Sequence, residues 1–305
     1  MYAYIIMIFV VIFYAGNILV GKAINELPPL TMSFFRLLVA FLLLLPIGLR
    51  SAWTQRTIFW EHKKPLLVMA FTGICFFNVF LYGALQFTSA TKVSIFEAVI
   101  PVATVLLSFF LLKERLGGIQ WAGILISLAG AVWVVMDGKV LQLASSGWNL
   151  GDAIMLGAII MWAVYSIAVK QHMYLFPHYG AILVMSGISV IVLFPAALIE
   201  WYFVGVPSLN LLNVIGLLYL GAFPSVVALV LFNRGVELLG PSRASVFLNF
   251  LPVATMVGAY FWLDESISVM QMLGALIVIS GVILTTRPSR LKLRGKVDLN
   301  KQKCS

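Results

Sequence analysis

The chain has 305 residues, of which 62% are hydrophobic and only 10% charged, and its mean hydropathy is +1.05. These values exclude a soluble globular domain, because apolar runs of about 20 residues recur and each can cross a ~30 Å hydrocarbon layer as a helix. The net charge of +9 is explained below by topology, so nucleic acid is not an expected partner. The runs are continuous and rich in Leu, Ile, Val and Ala, without the alternating polarity of barrel strands. The expected class is an all-α integral membrane protein.

Ten candidate spans follow in order, at 2–21, 32–49, 65–86, 93–112, 118–136, 151–169, 179–203, 211–232, 244–262 and 268–285. The first, "MYAYIIMIFVVIFYAGNILVG", lacks the basic flank of a cleaved signal and reads as a retained span. It carries Tyr14 and Asn17 near its middle. Span two has Arg36 near one end, where a long side chain by default snorkels to the headgroups. The alternative is bidentate contact with a substrate carboxylate. Span three sets Asn78, Tyr82 and Gln86 at i, i+4 and i+8 on one face. Cys75 there is ordinary packing, and two cysteines support neither a disulfide framework nor a paired metal site.

Span four holds Glu97 inside "KVSIFEAVIPVAT", with Pro101 one turn later. Intramembrane carboxylates are costly and usually face a cavity or a partner. Two readings stand. Glu97 can be a helix-end anchor favoured by the macrodipole and by Lys92, or it can recognise a substrate ammonium or a proton. Pro101 removes a backbone hydrogen bond at the Glu97 carbonyl, which either bends the helix as a permanent packing kink or frees a polar point for a solute. Span five has Gly123 and Gly130, two turns apart, suited to close helix approach within the bundle, with a dimer contact as the rival. Span six presents Trp162 and Tyr165, span eight Asn233 and Glu237, and span nine Asn249 and Pro252. Each amide or ring can be an interhelical contact. As a set recurring in both halves they point to the wall of an aqueous cavity.

With the N-terminus and the even-numbered loops on one side, that side and the tail hold 16 of the 20 Lys and Arg, and the other side holds Lys22, Arg36, Lys92 and Lys139. Cytoplasmic loops carry this excess, so both termini are expected inside a cell membrane. The basic tail 287–305 is expected to be polar and to meet lipid or water.

A shift of 151 residues overlays the halves without a gap. "KVSIFEAVIPVATVLLSFFLLKERLGGIQWAGILISLAGAV" falls on "RASVFLNFLPVATMVGAYFWLDESISVMQMLGALIVISGVI". Pro-Val-Ala-Thr recurs at 101–104 and 252–255, and Gly123 and Gly130 match Gly274 and Gly281. Leu248 stands at the position of Glu97, with Asn249 one residue on. Five spans per repeat is odd, so the second half must enter the bilayer inverted, an arrangement typical of secondary transporters.

With "YAGNILVGK" (14–22) and "FFRLLVAFLLLLP" (34–46), these segments resemble the EamA-type carriers of the drug/metabolite transporter superfamily. Tyr14 departs from the Trp expected there. The resemblance implies ten transmembrane helices as two inverted five-helix repeats, 2–136 and 151–286. It also implies export of amino acids, related metabolites or drugs.

No zincin motif or P-loop is present, and the histidines lie in expected loops, so neither an enzyme nor an ATP-driven pump is indicated. No cofactor and no metal is expected. The expected function is alternating-access export of a small amphipathic metabolite, with proton coupling as an option; a passive channel or facilitator is the alternative. Expected partners are a small-molecule substrate and the bilayer, with the chain a monomer or a homodimer.

Overall fold

The structure, a computed structural model, describes residues 2–88, 90–114, 116–139, 149–263 and 267–286, and every regular element among them is helical. The basic tail 287–305 and Glu265 lie outside the described residues. Among the described residues, eight helices are long and apolar enough to cross a membrane. They are α1 (Tyr2–Ala23), α2 (Pro29–Thr54), α3 (Lys63–Phe87), α6 (Gly118–Val135), α7 (Leu150–Leu175), α8 (His178–Val204), α9 (Leu211–Leu239) and α12 (Val269–Thr286). The chain is therefore a multi-pass membrane protein.

The two expected spans missing from that set are interrupted. The fourth is split into α4 (Ala90–Glu97) and α5 (Ile100–Leu111), with Ala98 and Val99 in a turn between them. The ninth comprises α10 (Pro241–Val246), a 3₁₀ segment Phe247–Phe250 and α11 (Leu251–Leu263). Pro101 and Pro252 stand just past these breaks. Neither proline has an N–H, so the preceding turn loses its i→i−4 bond and the backbone changes pitch there.

A second pair of irregularities is also placed symmetrically. α3 contains a π segment at Ala70–Phe76 and α9 one at Phe223–Ala228. Adding 151 to 70–76 gives 221–227, which overlaps the second. Each π turn frees carbonyls within a span, and small polar side chains take them up. Asn78 Nδ2 donates to the Ile74 carbonyl at 2.7 Å, and Ser225 Oγ to the Leu220 carbonyl at 2.7 Å.

The glycines seven apart are used within the chain. A Cβ on Gly123 would lie 2.6 Å from the Gly281 carbonyl oxygen, and one on Gly130 would lie 2.6 Å from the Val278 nitrogen and 3.0 Å from the Gly274 carbonyl oxygen. α6 and α12 thus run antiparallel in near-backbone contact. This excludes these four glycines from a dimer interface.

α2 and α8 form the other long antiparallel pair. Glu200 near the end of α8 accepts from Leu30 N (3.1 Å), Thr31 N (2.7 Å) and Thr31 Oγ1 (2.7 Å), and so caps α2 from another helix. Trp201 Nε1 donates to the same Thr31 hydroxyl at 2.8 Å. A carboxylate at a helix N-terminus meets both its unpaired N–H groups and its positive dipole end.

Candidate functional site

Arg36 lies two turns into α2 with 3% of its surface exposed. Nε and Nη2 both donate to Ser225 Oγ, at 3.0 and 2.7 Å, and Nη1 donates to Asn17 Oδ1 at 3.0 Å and to the Tyr82 hydroxyl. Tyr82 in turn donates to Asn17 Oδ1 at 3.0 Å. Helices α1, α2, α3 and α9 thus meet on one guanidinium. The default expectation that Arg36 snorkels outward is overturned. Three neutral oxygens from three other helices solvate its donors inside the bundle, so it has no need of the headgroups. All of these acceptors are uncharged, and four of the five guanidinium N–H directions are accounted for.

A cavity of about 40 Å³ lies against this cluster. Its wall includes Asn17, Arg36, Asn78, Glu97, Trp162 and Ser225. The volume would hold about three ordered waters and is too small for an organic solute in this conformation.

Glu97 is 5% exposed, and its Oε2 has no hydrogen-bond partner among the described residues. The anchor reading placed this carboxylate near a helix N-terminus, but Glu97 is the last residue of α4. It lies between the C-terminal end of α4, whose dipole disfavours a negative charge, and the N-terminus of α5, which begins at Ile100 and favours one. The side chain of Lys92 lies outside the described residues. Two more buried polar atoms on the cavity wall also have no partner, the Tyr14 hydroxyl and Trp162 Nε1. Trp162 is held by rings on three sides, with centroids at 4.5 Å (Phe77), 5.0 Å (Phe232) and 5.4 Å (Tyr165).

Not every expected wall residue reaches the cavity. Tyr165 donates to Asn233 Oδ1 at 2.7 Å, and the pair is fully buried away from it. The Tyr165 ring packs on Gly73, where a Cβ would overlap it. Asn249 Nδ2 donates to Ser127 Oγ at 2.8 Å, so this expected wall residue bonds to α6 instead. Its neighbours Leu248 and Leu251 line the cavity. The reason is the one-residue offset from Glu97, which in the 3₁₀ segment Phe247–Phe250 turns a side chain about 120°. Tyr82 stands behind Arg36 without lining the space. Gln86 reaches the Asn25 carbonyl at 3.4 Å, and Glu237 pairs with Arg234 and His178, both at 3.0 Å.

Ser225 and Tyr14 were not among the expected site residues. A signal for Ser225 was present in "AFPSVV", where a small hydroxyl follows a proline inside an apolar span. Nothing in that string points to Arg36 as its partner.

The EamA-like transporter family model matches residues 1–136 and 149–287. An uncharacterized transporter of Archaeoglobus fulgidus is 29% identical over 284 residues, covering 90% of this chain and 93% of that protein. The uncharacterized transporter YetK of Bacillus subtilis is 27% identical, covering 88% and 82%. A probable terminal-alkyne amino-acid exporter of Streptantibioticus cattleyicolor is 25% identical over 216 residues, covering 71% and 70%. One crystal structure superposes with a TM-score of 0.75 over 93% of this chain and 97% of that one, at 19% identity, which is a likeness of fold. With both halves matched, the chain belongs to the EamA-like transporter family of the drug/metabolite transporter superfamily, and it is a transporter and not an enzyme.

Proposed function

We propose that the protein exports amino-acid-like zwitterions by alternating access, with Arg36 receiving the substrate carboxylate and Glu97 its ammonium. One observation carries this reading. Among the described residues, a guanidinium bonded only to neutral oxygens and a carboxyl group with an unpartnered Oε2 line the same buried cavity. Arg36 is a buried charge whose partners are all neutral, Glu97 is a buried carboxyl group that can ionise against a cation, and a zwitterion supplies an opposite charge to each. Asn17, Ser225 and Tyr82 position Arg36. Asn78, Tyr14 and Trp162 add further polar groups to the wall. The amino-acid exporter among the relatives supports the substrate class.

Ten spans in two inverted repeats, 2–136 and 151–286, provide the two alternating shapes, with both termini and the basic tail 287–305 in the cytoplasm. The reciprocal contacts of Gly123 with Gly281 and of Gly130 with Gly274 support the inversion. With a 151-residue offset, these are the pairs a two-fold axis relates. The breaks before Pro101 and Pro252 flank the cavity and provide hinges. Proton coupling through Glu97 is part of the proposal, because a proton can occupy the carboxylate when the ammonium has left.

The test is exchange of labelled amino acids in proteoliposomes. Free amino acids should compete, whereas their methyl esters and N-acetyl derivatives, each lacking one charge, should not. Equal competition by the esters would remove Arg36 from the reading, and equal competition by the N-acetyl compounds would remove Glu97. Flux that never saturates and shows no exchange would mark a channel instead.

A further inference from the structure

An exporter must return across the membrane without its substrate, and Arg36 cannot shed its charge on the way. Its bonded partners Asn17, Tyr82 and Ser225 are all neutral. While Glu97 is ionised, it is itself the counter-charge on the same cavity wall. A proton on Glu97 removes that counter-charge. It leaves a guanidinium buried against neutral groups alone, which is costly. Among the described residues, the ionisable side chains of the wall are Arg36, Glu97 and Tyr14, so no second carboxylate takes over.

The same wall holds unspent donors. Arg36 keeps one N–H direction after its four bonds. Trp162 Nε1 can only donate, and it has no partner among the described residues. The Tyr14 hydroxyl is likewise unpartnered there, and its ring meets Trp162 edge to face at 5.8 Å. A protonated Glu97 becomes a further donor. These groups reach the cavity from α2, α7, α1 and α4. The space of about 40 Å³ is that of about three waters, enough for a monatomic ion and too small for an organic solute. Water would satisfy the donors and leave the charge uncompensated. A small anion does both.

We infer that the protonated, substrate-free cavity is a chloride site, in which the ion meets Arg36, Trp162 Nε1 and the Tyr14 hydroxyl. This rests on the reading of Arg36 and Glu97 as the two poles of a zwitterion site. Proton and chloride stand in separately for the ammonium and the carboxylate, and an arriving substrate displaces both. The cavity then carries the same net charge in the loaded and the returning carrier. Chloride is thus a competitor of the substrate and a companion of the proton.

The experiment is binding of radiolabelled chloride to the purified full chain in detergent, without substrate, with gluconate keeping the ionic strength constant across a pH series. Wild type should bind chloride at low pH, and its affinity should fall about tenfold per pH unit once Glu97 ionises, because one proton accompanies each anion. Glu97→Gln, neutral at every pH, should keep the binding and lose the pH dependence. Trp162→Phe should weaken it roughly tenfold, for one lost hydrogen bond to a charged group. Arg36→Gln should abolish it. No binding by wild type at any pH, a retained pH dependence in Glu97→Gln, or undiminished binding in Arg36→Gln would each overturn the inference. The substrate reading is checked separately by amino-acid exchange in proteoliposomes. Exchange without chloride binding removes the chloride site alone, whereas chloride binding without exchange upholds that site and removes the zwitterion.

Discussion

Arg36 and Ser225 stand 189 positions apart in the chain, yet Ser225 Oγ receives both Nε and Nη2 of the guanidinium, at 3.0 and 2.7 Å. The serine hydrogen is already donated to the Leu220 carbonyl, so its lone pairs are turned to the arginine. This fixes the plane of the fork. On the proposed reading, it aims the remaining donor direction into the cavity.

Ser225→Ala should therefore leave the fold intact and weaken substrate binding. A hydrogen bond to a charged group contributes about 1.5–3 kcal/mol, which corresponds to roughly 10- to 100-fold in affinity if the fork is freed to turn. Counterflow KM in proteoliposomes measures this. An unchanged KM would show that Ser225 does not set the orientation.

Arg36→Gln and Arg36→Lys separate charge from geometry. The glutamine variant removes a buried charge whose partners are all neutral, so thermal stability in detergent should hold or rise while transport is lost. Lysine keeps the charge without the planar fork and should lose most transport as well. Full activity in Arg36→Lys would mean that a point charge suffices.

Glu97→Gln is close to isosteric and should fold normally. Under the proposed coupling, a pH gradient should no longer drive uptake, and binding of the ammonium end should weaken. If the variant still responds to an imposed gradient as wild type does, Glu97 is not the coupling group.

Gly281→Leu addresses the bundle and not the site. A Cβ there already meets the Gly123 carbonyl oxygen at 2.6 Å, so α6 and α12 must separate. Overpacking of this kind costs about 1–3 kcal/mol, read as a lower melting temperature. Val282→Ala on the same helix should be milder, because it removes volume and adds none.

The sequence by itself determined that this is a helical membrane protein of repeated halves. Both are read directly from the string of residues, the first from the length of the apolar runs and the second from a gapless self-match at an offset of 151 residues. It also supplied the polar residues, because a charge or amide inside an apolar run is conspicuous wherever it points. Helical periodicity put Asn78 and Tyr82 on one face, and both do reach the Arg36–Glu97 region. What periodicity cannot give is which helix that face meets. Arg36 turned inward because Asn17, Tyr82 and Ser225 arrive from three other helices, and Asn249 turned to Ser127 because one residue of offset in a 3₁₀ segment swings a side chain by about 120°. The π turns that free carbonyls near Asn78 and Ser225 left no mark beyond a glycine and a proline. Only the packed bundle decided which polar groups share a cavity, because their partners are set by contacts between helices far apart in the chain.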